Sequence, residues 1–111
     1  MRFVIVVLAV LALDQPLLLE PPVVSAKPEL LLKRVMPMPG VSGRIDHLAY
    51  DPETKRLFVA ALENGSLEVI DLEKGESIKS VSGLKEPQGV VFTPATKRVV
   101  VSCGGDGTVH A

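Results

Sequence analysis

The residues in this sequence whose types and neighbours could do chemistry gather at two places. At the first, Asp46 precedes His47, with Arg44 two positions earlier. A carboxylate beside an imidazole can orient the ring, and an imidazole that titrates near neutral pH can take up a proton or a metal ion. With Gln88, which falls at the matching place of a second segment described below, Arg44, Asp46 and His47 form a candidate ligand-binding rim. The same residues also fit a solvated loop or a hydrogen bond internal to one strand unit. His110 is the other histidine of the chain and stands far from His47, so no metal site is assigned.

At the second place, Cys103-Gly-Gly-Asp-Gly107 has the glycines of a phosphate-cradling loop. It lacks the Lys and following Ser/Thr of a P-loop, and no helix follows to supply a dipole. A hairpin turn accounts for every one of these glycines. Ser102-Cys103 offers a nucleophile with no base at a motif spacing. No catalytic residue is assigned, and no cofactor is implied.

The elements that must position these residues come from a chain of 111 residues, 47% hydrophobic and 23% charged. That length allows at most one small domain. The single cysteine, Cys103, excludes an intrachain disulfide framework and a multi-cysteine metal site. Arg2 is followed by eleven apolar residues, Phe3 to Leu13, a run too short for a bilayer core that needs about 20 residues. It fits the apolar region of a secretory signal, and Val24-Ser25-Ala26 offers small residues for peptidase cleavage before Lys27. An uncleaved membrane anchor is the alternative; a lipoprotein is disfavoured because no Cys lies near the cut. Residues 1–26 are therefore expected to be a signal peptide and the protein periplasmic or extracellular, with no stable membrane span. Removing Arg2, Asp14 and Glu20 with that segment leaves 11 basic and 11 acidic residues, so no basic stripe for nucleic acid remains.

Sliding the chain against itself by 42 residues aligns two segments without a gap. His47-Leu-Ala-Tyr-Asp-Pro-Glu-Thr-Lys-Arg56 lies over Gly89-Val-Val-Phe-Thr-Pro-Ala-Thr-Lys-Arg98. Leu57-Phe-Val-Ala-Ala-Leu-Glu-Asn-Gly-Ser-Leu67 lies over Val99-Val-Val-Ser-Cys-Gly-Gly-Asp-Gly-Thr-Val109. Apolar positions and turn residues stay in register together, which marks a structural repeat. Residues 27–42 then form an N-terminal extension, 43–84 a first unit and 85–111 a second.

Each unit reads as antiparallel strands, so the fold class is all-β. Leu48-Ala-Tyr50 and Val90-Val-Phe92 are short apolar runs suited to a buried inner strand. Asp51-Pro52 and Thr93-Pro94 place proline where a turn wants its fixed φ. Arg56 to Leu62 and Arg98 to Cys103 form the next strands, and Asn64-Gly65 and Asp106-Gly107 predict type I′ hairpin turns. Leu67 to Asp71 and the more polar Glu76 to Val81 follow as third and fourth strands, the last outermost. Four strands in about 42 residues is the anatomy of a propeller blade.

Pro87-Gln-Gly-Val-Val-Phe-Thr-Pro, Lys97-Arg-Val-Val-Val-Ser, Asp106-Gly-Thr-Val and the first unit's Val69-Ile70-Asp71 resemble the YVTN-type β-propeller repeat. The first unit departs from it, with Ile45-Asp46-His47 where the pattern opens with Pro-x-Gly. The resemblance covers about residues 43 to 111 and implies exported, four-stranded blades arranged around a channel. The second unit stops at Ala111 inside its third strand, so the sequence reads as an incomplete propeller of about two blades, a fragment of a longer protein. Blades bury their faces against neighbours and need roughly three or more for stability.

Two functions follow. One is a non-enzymatic binding or scaffold module, for an unknown protein or small-molecule ligand at the propeller channel. The other is the N-terminal part of a propeller enzyme, a lactonase-like hydrolase or quinoprotein-type oxidoreductase, with its catalytic residues on further blades. A surface-layer or envelope component is a third, structural possibility.

Overall fold

The computed structural model describes residues 29–111; the expected signal segment, residues 1–26, and its cleavage site lie outside them. Seven strands follow in order: β1 Leu48–Asp51, β2 Arg56–Ala61, β3 Ser66–Asp71, β4 Glu76–Ser82, β5 Pro87–Thr93, β6 Arg98–Cys103 and β7 Thr108–His110. No helix occurs among the described residues. The strands form two antiparallel sheets, one ordered β1-β2-β3-β4 and one ordered β5-β6-β7. The fold is all-β.

The repeat holds at the level of register. Tyr50 pairs with Leu57 and Phe92 with Val99; Ala60 pairs with Leu67 and Ser102 with Val109. Each partner in the second sheet lies 42 residues beyond its counterpart. Both units place the β-branched and apolar residues on their second strand, where a pleated, half-buried surface suits them.

All five hairpins are closed by four-residue connections, 52–55, 62–65, 72–75, 94–97 and 104–107. Each ends in a left-handed residue: Lys55, Gly65, Gly75, Lys97 and Gly107, with φ between 55° and 77°. The expected type I′ turns are therefore corrected. Such a turn needs φ > 0 at both central residues, whereas here Gly65 and Gly107 are left-handed and Asn64 and Asp106 are not. The dipeptides mark the reversals, but as the second half of a longer loop. Polar side chains stiffen these loops. Asp51 accepts from the Glu53 N–H at 3.0 Å and from the Thr54 hydroxyl, and Asp71 accepts from the N–H groups of Glu73 and Lys74.

The core lies between the two sheets. Phe58, Leu67, Val101 and Cys103 are buried there, with Ala49, Val69, Val90 and Phe92 packed around them. Cys103 is a packed thiol, 3% exposed, as its alignment with the strand residue Ala61 implies. The second sheet meets the first chiefly through β5, which lies over β1 and β2. At the end of the sheets formed by the 52–55 and 94–97 turns, Lys97 pairs with Glu53.

Leu48 and Tyr50 do not form the buried inner strand that the sequence suggests. They are 51% and 45% exposed, because β1 is an edge strand and their side points away from the second sheet. Val91, expected inside, is 52% exposed for the matching reason: it points away from the first sheet. Strand β4 is the outer strand of its sheet and mostly exposed, as its polarity suggests.

The remaining side of the first sheet is covered over β2 and β3. Val59, Glu68 and Ile70 alternate with Phe58, Leu67 and Val69 and so face away from the core, yet they are buried. The extension ahead of β1 is tied to both ends of β3. Arg34 donates to the carbonyls of Leu72 and Glu73 at 3.3 Å, and the Ser42 N–H donates to Asn64 Oδ1 at 3.2 Å. It is the strap that crosses this side. Beneath it, Glu68 Oε1 accepts from the hydroxyls of Ser66 and Ser80 at 2.6 and 2.7 Å.

Candidate functional site

The four rim candidates lie at the end of the sheets where the strap enters β1 and where the 62–65 and 104–107 loops turn. Asp46 and His47 prolong β1 along β2. The Asp46 N–H donates to the Ala60 carbonyl at 2.9 Å, and the Ala60 N–H donates to the His47 carbonyl at 3.0 Å. Their side chains meet, with His47 Nδ1 2.7 Å from Asp46 Oδ1. That contact takes up Nδ1; among the described residues Nε2 has no hydrogen bond, on a side chain 69% exposed.

Gln88 reaches the same place by a local irregularity. The pairing of β5 with β6 shifts between Pro87 and Gly89, so Gln88 is the extra residue of a β-bulge. A bulge re-aims the residue it inserts. Here it turns the Gln88 carbonyl toward the first unit, where it accepts from the His47 N–H at 3.3 Å. Its side chain lies against Gly104, where a Cβ would come within 2.8 Å of the amide carbon. A larger residue at 104 would displace the flexible Gln88 amide from this position. The structure thus brings Asp46, His47 and Gln88 together across the junction of the two units.

Arg44 is adjacent but differently engaged. Its N–H donates to Glu63 Oε2 at 3.0 Å and its carbonyl accepts from the Glu63 N–H at 3.2 Å. Among the described residues no hydrogen bond joins its guanidinium to the other three.

Nothing in the sequence marks Glu63, Lys85 or Glu86 at this end. They line an open cleft of about 470 Å³ between the 62–65 loop and the 83–86 connection, with Leu84 and Gly105. Glu86 holds φ at 51° immediately before Pro87, whereas a residue preceding proline prefers the extended region. Two hydrogen bonds impose it: the Gly104 N–H donates to the Glu86 carbonyl at 2.9 Å and the Gly105 N–H to the Lys85 carbonyl at 3.0 Å. Strained backbone held by its surroundings is a feature of ligand-binding loops. The Cys103-to-Gly107 stretch is thereby a hairpin whose amides bind the neighbouring connection. Asp106 caps it, accepting from the Thr108 hydroxyl at 2.6 Å and the Thr108 N–H at 3.1 Å. The hydroxyl bond, with the amide bond behind it, holds the Asp106 pKa below its ordinary 3.8.

Chemically, the rim offers a carboxylate-oriented imidazole, an amide and a guanidinium on a wetted surface. It has the groups to hydrogen-bond a polar ligand and shows no nucleophile paired with a base. Compared with family models, with curated proteins and with solved structures, the chain matches none.

Proposed function

We propose that this chain is an exported β-propeller repeat protein whose role is binding or scaffolding, with a polar ligand seated at the rim formed by Asp46, His47 and Gln88. The observation that carries this reading is the hydrogen bond from the His47 N–H to the carbonyl of the bulged Gln88. It makes the rim a joint property of both units, as a ligand site between repeats requires. The two antiparallel sheets with a common register support the repeat architecture.

The test is nuclear magnetic resonance mapping of the full chain with acetate and with a short acidic peptide as probes. Shifts confined to residues 44–47, 86–89 and 104 are expected, and lost in His47→Ala. Shifts elsewhere, or none with either probe, overturn the rim. N-terminal sequencing of the protein recovered from the host's envelope or medium tests export; an intact Met1 there refutes cleavage.

A further inference from the structure

The 42-residue repeat relates one covered surface of this molecule to one uncovered surface. On the first sheet, Ala49 and Phe58 face the second sheet, and Phe92 stacks on Phe58. Forty-two residues on, Val91 and Val100 hold the same register on the second sheet. Their side carries Val91 at 52% and Val109 at 67% exposure, and forms an open groove with Gly89 and Ser102. The covering residues also have counterparts. Val90 and Phe92 correspond to Leu48 and Tyr50, which are exposed on the far side of the first sheet. One chain therefore displays the β1 part of one half, and the β5–β6 part of the other half, of the contact that it makes internally.

We propose that a second copy of this chain docks head to tail on the second sheet, seating its Tyr50 on Val100 as Phe92 seats on Phe58. The internal interface works chiefly through β5 lying over β1 and β2. Its intermolecular counterpart is β1 of the second copy lying over β5 and β6. Val59 and Ala61, the counterparts of Val101 and Cys103, are already buried on this side, so the intermolecular contact is confined to the bare Leu48 and Tyr50 on β1. Two apolar surfaces of complementary origin, both wet in a single copy, favour mutual burial. The contact is heterologous, so it can repeat from copy to copy until a ring closes or a filament extends. It does not depend on the ligand rim, which can fail without affecting it.

Sedimentation velocity of the full chain tests the proposal. Wild type is expected to give concentration-dependent dimers and larger species, and Tyr50→Asp and Val100→Asp each to sediment as monomers. An equal mixture of the two variants should recover a dimer and nothing larger, because each retains one intact half. A monomeric wild type, association that survives either substitution, or a mixture that stays monomeric overturns it. Should an Asp variant fail to fold, mixed Tyr50→Cys and Val100→Cys chains replace it. Mild oxidation should link position 50 of one chain to position 100 of the other; a 100-to-100 link or none refutes the head-to-tail arrangement.

Discussion

The ring of Phe58 lies 5.7 Å from that of Phe92, the two planes inclined by 18°, and the strands that carry them belong to different sheets. Offset stacking of this kind is worth about 0.5–1.5 kcal/mol for the pair beyond the burial of the two rings. The cohesion of the two units is concentrated here. Phe58→Ala is expected to cost about 3–5 kcal/mol, the usual range for emptying a buried aromatic site. Val100→Ala, at the matching position 42 residues on, should cost less than about 1 kcal/mol, since it lies on the open side of the second sheet. Urea midpoints of the two variants decide this; equal losses would mean that both sides are equally buried.

Gly65 and Gly107 occupy equivalent left-handed positions, with φ of 66° and 70°, but differ in their surroundings. A Cβ at 65 would lie 2.9 Å from the Leu84 carbonyl oxygen, whereas a Cβ at 107 would meet nothing within 4 Å. Gly107→Ala should lose about 1 kcal/mol from the left-handed backbone alone. Gly65→Ala should lose more, because the 83–86 connection must also move. Thermal unfolding of the pair reads the difference directly, and a smaller loss at 65 would contradict the close approach.

Asp51 bears on the response to acid. The Thr54 hydroxyl, assisted by the amides of Glu53 and Thr54, lowers its pKa from the ordinary 3.8 against the opposing effect of burial. Asp71 is lowered in the same direction, chiefly by the Lys74 N–H. A carboxylate with a depressed folded-state pKa favours the folded state above its unfolded pKa, and that contribution disappears as the pH falls through the folded value. Stability should therefore decline as the pH drops below about 4. Asp51→Asn and Thr54→Val should each make the decline shallower in denaturation curves taken from pH 6 to pH 2. An unchanged slope in both would show that Asp51 does not couple folding to protons.

Much of this architecture is legible in the sequence because the repeat constrains it twice over. The pairs Tyr50/Phe92 and Leu57/Val99 fall in register as their alignment requires. The turn type was not legible, because Asn64-Gly65 is a two-residue signal and the loop class depends on where β2 and β3 stop pairing, at Ala61 and Ser66. Of the rim, Asp46 and His47 could be read as neighbours and Gln88 as their counterpart. The left-handed Glu86 could not, because it is imposed by the amides of Gly104 and Gly105, distant in sequence. The exposure of Leu48 and Tyr50 is not legible in the sequence, because an apolar run does not reveal whether anything covers it.

The buried Glu68, with the hydroxyls of Ser66 and Ser80 on one of its oxygens, gives the two sides of the first sheet different characters toward water. Taking an ionised carboxylate from water is costly unless hydrogen bonds replace the lost hydration. Glu68 is thus a polar point on a side that Val59 and Ile70 otherwise make apolar. Lifting the strap would return the carboxylate to water but would also bare Val59 and Ile70 beside Leu48 and Tyr50. The anchors at Arg34 and Ser42 therefore set how much of that side another chain can reach.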